Sequence, residues 1–197
     1  PTASASGPTL TETLMLGPMS PTSSFAVGSV MIGPDGKFEL HQLIDRQVFR
    51  LIGSSRGWYL KSVTMDGKDI SDTGYEFKAG ERVSGLTVSL TDRPTTLTGT
   101  FEDDRRRPVA DYTAVVFPAD RARWVFGTRS VRAVRPDQNG RFEVKGLPAG
   151  DYRVVALEYV EPGEETDPDR LQKWNTMGTS LTLAEAESKS VTLRLMR

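Results

Sequence analysis

The chain has 197 residues, 25 lysines and arginines against 26 aspartates and glutamates, a formal charge of -1, and 37% apolar and 8% aromatic content, the profile of a globular protein with room for one sizeable core or two small ones. Near-neutral charge removes the bulk electrostatic basis for binding nucleic acid or an anionic membrane, and without a run of about 18 apolar residues no membrane insertion is expected. The absence of cysteine excludes disulfides and thiolate chemistry, and the single histidine, His41, cannot build a two-histidine site, so neither metal nor other cofactor is expected.

Residues 1–9, PTASASGPT, are small, polar and proline-bearing and bury nothing against the entropy of ordering, so they read as a disordered linker remnant. Beyond them strand signals dominate. Phe38 and Leu40 alternate with Lys37 and Glu39, Leu86, Val88 and Leu90 with Thr87 and Ser89, and Val191, Leu193 and Leu195 with Thr192 and Arg194. Each series places its apolar side chains on one face of a pleated strand. Asp35-Gly36, Asp66-Gly67 and Asn139-Gly140 accept positive φ and close hairpins. Short strands punctuated by Gly, Pro and Asp predict an all-β chain of antiparallel sandwiches.

Segments also recur at a fixed distance. GKFEL at 36–40 and GRFEV at 140–144 lie 104 positions apart, and LTVSL at 86–90 and VTLRL at 191–195 lie 105 apart. Similar offsets at both ends of a unit predict two tandem copies of one fold, residues 10–92 and 93–197. With Gly57-Trp58-Tyr59 aligned to Gly150-Asp151-Tyr152, the first copy carries about eleven extra residues before that point, among them Val48, Phe49, Leu51 and Ile52; the second carries about twelve after it, including the acidic run EPGEETDPD at 161–169. Thr96 to Phe101 opens the second copy and has no counterpart in the first, which is therefore expected to lack its opening strand, with Leu10, Leu14 and Leu16 matching the second strand, Tyr112 to Phe117. The edge so vacated would offer unpaired backbone groups to another strand. The junction Thr91-Asp92-Arg93-Pro94 is short and stiff.

The run NGRFEVKGLPAGDYRVVAL, Asn139 to Leu157, resembles the core motif of carboxypeptidase regulatory-like domains. The resemblance spans 95–197 and is carried in the first copy by Asp35 to Leu40 and by Gly57-Trp58-Tyr59, with Leu43-Ile44-Asp45-Arg46 in place of the Leu-Pro-x-Gly corner. It implies a prealbumin-like (transthyretin-like), Ig-like Greek-key sandwich that accompanies other modules as an adhesive, spacer or folding-support unit, with no catalytic centre of its own. On physical grounds alone, Gly146 and Gly150 let the chain turn while Leu147 points inward, and Tyr152 enters the core with its hydroxyl bonded to backbone across the turn.

Five features bear on chemistry. His41 has Ser54, Ser55 and Asp45 as its nearest partners in sequence, but no GxSxG elbow frames those serines, so it reads as a strand-end histidine. The acidic run lacks the Asp-x-Asp-x-Asp-Gly spacing of a calcium loop and reads as a solvated loop. Arg105, Arg106 and Arg107, with Arg121, Arg123, Arg129, Arg132 and Arg135, read as edge-shielding side chains with the acidic run as their partner. Trp124 and Trp174, with Arg123 and Phe126 beside the former, are the ligand-binding candidates, because an exposed indole stacks on a sugar face; packing under a loop is the competing reading. Asn139 and Asn175 are the only asparagines and neither suits an isopeptide crosslink.

These features favour a non-enzymatic accessory and interaction module of a larger, periplasmic or secreted bacterial-type protein, meeting a protein partner or neighbouring domain through a sheet edge. A carbohydrate-binding module using exposed tryptophan, with a polysaccharide partner, is the alternative. A two-carboxylate hydrolase is a second one.

Overall fold

The computed structural model describes residues 14–19, 30–32, 35–52, 57–103, 105–125 and 127–194. Residues 1–9, Leu10, Ser54, Ser55, Phe126 and Leu195 lie outside the described residues. The chain divides between Arg93 and Pro94 into two compact units, each a β-sandwich around its own apolar core.

The first unit comprises β1 (Leu14–Met19), β2 (Val30–Ile32), β3 (Asp45–Ile52), β4 (Tyr59–Met65), β5 (Lys68–Asp69), β6 (Tyr75–Phe77) and β7 (Leu86–Thr91). One sheet has the order β2-β1-β3-β6 and the other β5-β4-β7, with every pair antiparallel. Period-two alternation sends Val63 and Met65 of β4 and Leu86 and Val88 of β7 into one core with Phe49 and Phe77, whose rings meet edge to face at 6.2 Å. Phe38 and Leu40 join that core. Their segment alternates exposed and buried residues over 35–40 but forms no ladder with the described residues.

The second unit comprises β8 (Thr96–Glu102), β9 (Pro108–Val109), β10 (Thr113–Pro118), β11 (Arg132–Val134), β12 (Arg141–Lys145), β13 (Gly150–Leu157), helix α1 (Pro168–Met177), β14 (Thr179–Leu183) and β15 (Ser188–Arg194). Its sheets run β11-β10-β13-β14 and β12-β8-β15, with β9 also on β8. One pair departs from the antiparallel expectation: β15 lies parallel to β8, from Ser188↔Thr96 to Arg194↔Glu102. Gly99 in β8 keeps this sheet close to the core, because a Cβ there would sit 2.6 Å from the Phe142 ring.

The two four-stranded sheets share one connectivity, and it corrects the sequence alignment. β3 stands in the order where β13 stands, with Asp45 and Gly150 at their starts 105 positions apart, so Gly57-Trp58-Tyr59 is not the counterpart of Gly150-Asp151-Tyr152. Neither expected insertion exists in this alignment: residues 53–74, between β3 and β6, and residues 158–178, between β13 and β14, are nearly equal in length, but the first segment forms β4 and β5 and the second forms α1. β4 pairs antiparallel with β7 from Met65↔Leu86 to Tyr59↔Thr91, beside the last strand as β8 is beside β15. Along Leu86–Thr91, therefore, the position expected to be vacant is filled by a strand of the same unit.

The second unit also has a third layer. Alternation along β10 and β13 sends Ala114, Val116, Tyr152 and Val154 to the core between the sheets. The opposite face carries Val115, Phe117 and Val155 into a second cluster with Leu171 and Trp174 of α1 and with Trp124. The acidic run is exposed or half-buried throughout, as expected of a solvated segment, but it is not loop alone, because its last residues form the entry to this helix. The Asp167 side chain caps α1 by accepting from the Asp169 and Arg170 backbone N–H groups, Pro168 occupies the first turn where no donor is missed, and Glu164 pairs with Arg170 at 2.7 Å.

Candidate interaction site

Both tryptophans proposed as sugar platforms belong to the third layer. Trp124 and Trp174 are each only 7% exposed. The Trp124 indole packs edge to face on Phe117 at 6.0 Å, and its Nε1–H donates to the Pro118 carbonyl at 2.7 Å. Trp174 faces the sheet because it lies three residues after Leu171 on the same side of α1. Neither indole offers an open face to a sugar, because the outer face of β10 and β13 needs covering and these side chains cover it. Arg123 is committed to the fold too: its guanidinium lies over the Tyr152 ring, 5.7 Å from the centroid, and donates to Ser130 Oγ at 3.0 Å. Phe126 lies outside the described residues.

The other candidates are likewise occupied by structure. His41 is exposed at the end of its segment, and its two serine neighbours lie outside the described residues. Arg107 forks onto Asp103, with Nε 2.9 Å and a terminal nitrogen 2.7 Å from the carboxylate. The Asp103 carboxyl is held below its usual range first by the backbone N–H of Arg107 and then by that residue's side chain. Asp137 is lowered the same way by the backbone N–H groups of Arg141 and then Asn139, so both carboxylates serve turns. Arg153 Nε donates to Asn175 Oδ1 at 3.1 Å. Burial pushes the Tyr112 phenol up to about 12, and its hydroxyl donates to the Gly140 carbonyl at 2.8 Å. Among the described residues no three metal-ligating side chains converge.

Accessible features of the first unit remain, and they are built by its corner and its final strand. In the second unit the Tyr152 hydroxyl donates to the Pro148 carbonyl at 2.7 Å. In the first unit Gln47, at the matching place in β3 and 2% exposed, does the same work, its amide donating to the Ile44 carbonyl at 2.6 Å. The corner keeps its left-handed residue, although Gly146 (φ 76°) is matched by Gln42 (φ 59°). The turn between the last two strands also corresponds. Glu81 N–H donates to the Lys78 carbonyl at 3.0 Å while its carboxylate accepts from Lys78 N–H at 3.0 Å. Glu187 and Ala184 repeat both bonds, at 3.3 Å and 2.7 Å. Between this corner and this turn the first unit has a cleft of about 250 Å³, lined by Leu40, Gln42, Leu43, Phe77, Gly80, Glu81 and Val83.

Beyond the cleft, β7 ends its sheet. It is hydrogen-bonded to β4 on one side, and among the described residues no strand pairs its other edge. Its sequence, Leu-Thr-Val-Ser-Leu-Thr, has no charge and no proline. The corresponding end strand β15 carries Lys189 and Arg194, and Lys189 Nζ reaches across to donate to the Thr182 carbonyl of β14 at 2.7 Å. Edge lysines of this kind deter further strand pairing; β7 has no such guard.

No family model and no curated protein matches this chain. Among solved structures it is similar to a streptococcal ancillary pilin at 12% identity over 98% of this chain and 67% of that one, with a TM-score of 0.38. It is similar to the major pilin subunit of Bacillus cereus at 11% identity over 71% and 56%, TM-score 0.34, and to catechol 1,2-dioxygenase of an Acinetobacter species at 13% identity over 53% and 52%, TM-score 0.32. The chain thus spans between about half and two thirds of these proteins, and no residue role is carried over from them.

Proposed function

We propose that the chain is a non-catalytic structural and interaction module of an exported protein, built of two carboxypeptidase regulatory-like sandwich copies, that meets its protein partner by strand addition at β7. The unguarded outer edge of β7 carries this reading: alternate residues of this six-residue strand present backbone donors and acceptors on that side, and no charge in the strand repels an incoming one. The tandem-copy reading is supported by the shared strand order and the matching corner and turn bonds, and the extracytoplasmic setting accords with the family resemblance.

Amide hydrogen exchange of the full chain, with a synthetic peptide of the β7 sequence as probe strand, tests strand addition. The expected result is slowed exchange of alternate β7 amides, lost in a Thr87→Lys, Ser89→Lys variant, whose new charges lie on the face away from the buried Leu86 and Val88. Unchanged β7 exchange at saturating peptide would refute the reading.

A further inference from the structure

The cleft in the first unit has a filled equivalent in the second. There, the space between the Gly146–Leu147 corner and the Ala184–Glu187 turn is occupied by the start of the chain's own opening strand. Gly146 N–H donates to the Thr95 carbonyl at 2.9 Å, Thr96 N–H donates to the Glu187 carbonyl at 2.8 Å, and Thr95, 5% exposed, sends its hydroxyl toward the Ala184 carbonyl at 3.4 Å. The matching groups in the first unit are the Gln42 N–H and the Glu81 carbonyl. Neither has a hydrogen-bond partner among the described residues, and both belong to residues that line the cleft. β4 does not reach this end, because its pairing with β7 stops at Met65↔Leu86. The following turn then closes the edge through Asp66 N–H to the Gly85 carbonyl at 3.2 Å.

We propose that this cleft binds a short extended peptide of the chemistry of Pro94-Thr95-Thr96: uncharged, with small hydroxylated residues. One carbonyl of the peptide accepts from Gln42 N–H, the next N–H donates to the Glu81 carbonyl, and a threonine-sized side chain fills the floor formed by Leu40, Leu43 and Phe77. Three observations fix this occupant class. The same two backbone groups are satisfied by such a peptide in the second unit. The volume falls below the ~300–1,000 Å³ of sites for drug-sized ligands and suits a stretch of chain. The floor is apolar, and the one acid on the rim, Glu81, already caps the Lys78 N–H, so no charge complement calls for a basic ligand. Strand docking of this kind takes its affinity from main-chain bonds and its specificity from the pocketed side chain. The inference rests on the interaction-module reading and gives it a ligand, but it uses a different edge from β7.

Amide chemical shifts of the full chain, followed while an acetylated Pro-Thr-Thr-Leu amide is added, test the proposal. Saturable shifts are expected at Gln42, Glu81 and Val83, with binding weakened at least about tenfold in a Val83→Lys variant, whose longer, charged side chain intrudes on the cleft that Val83 lines. A peptide with lysine at its first threonine should not bind. Shifts confined to β7, shifts that follow dilution of the protein rather than addition of peptide, or none at millimolar peptide would each overturn the proposal. The β7 variant separates the two readings, since Thr87→Lys, Ser89→Lys should leave the cleft titration unchanged.

Discussion

Gln42 and Ala186 show what a single side chain costs at a turn. Both have positive φ, 59° and 56°, while their counterparts across the two units, Gly146 and Gly80, are glycines at 76° and 74°. A side chain in this region costs about 1–2 kcal/mol relative to the right-handed one, offset in part by the extra freedom glycine gives the unfolded chain. Gln42→Gly and Ala186→Gly should therefore each raise the unfolding free energy by up to about 1 kcal/mol in urea titration, and their effects should add because they lie in separate units. At the neighbouring corner, Tyr152→Phe should cost about 1 kcal/mol, the net worth of its buried hydrogen bond. Titration follows the same residue-level reasoning. Asp103 and Asp137 have folded-state pKa values below the usual carboxylate value, so their contribution is complete above the unfolded value near pH 4 and is lost as pH falls through the folded one. Asp103→Asn and Asp137→Asn should flatten the acid limb of the stability profile. Tyr112 has the opposite sign: its contribution is complete below pH 10 and disappears as pH rises toward about 12.

At the scale of elements, α1 is a lid on the outer face of β10 and β13. Trp174→Ala should cost about 3–5 kcal/mol, the range for emptying a buried aromatic site, and Asp167→Ala about 1 kcal/mol through the lost cap; thermal unfolding followed by circular dichroism measures both. An exposed sugar platform would instead give a near-neutral Trp174 variant. The strands were legible in the sequence because Leu86/Val88 and Val191/Leu193 alternate with period two, and the Tyr152 corner because its glycines leave few other geometries. The helix was not, although Asp167-Pro168 and the Leu171–Trp174 spacing are a start signal and an apolar stripe; one buried face of ten residues, in a run read for its charge, gives a weak period. The role of β4 was hidden for another reason: pairing with β7 is a tertiary choice that no local pattern in Tyr59–Met65 encodes. The cleft was invisible as well, since its two open backbone groups carry no residue signature.

At the scale of the whole molecule, the buried clusters of the second unit are drawn entirely from residues after Pro94. A 94–197 fragment should therefore fold alone with a cooperative transition; a fragment that stays unstructured would show that the first unit supplies part of its stability. The two ways of flanking a final strand also set different kinetic demands. β4 and β7 join residues 21 to 32 positions apart, so the first sandwich can close while the ribosome is still at work. β8 and β15 bring together Thr96 and Ser188, 92 positions apart, and that closure must wait until β15 has been synthesised. Loop-closure entropy then makes the carboxyl-terminal half the slow one to mature, and for that interval its nascent strands are the ones most exposed to misassembly.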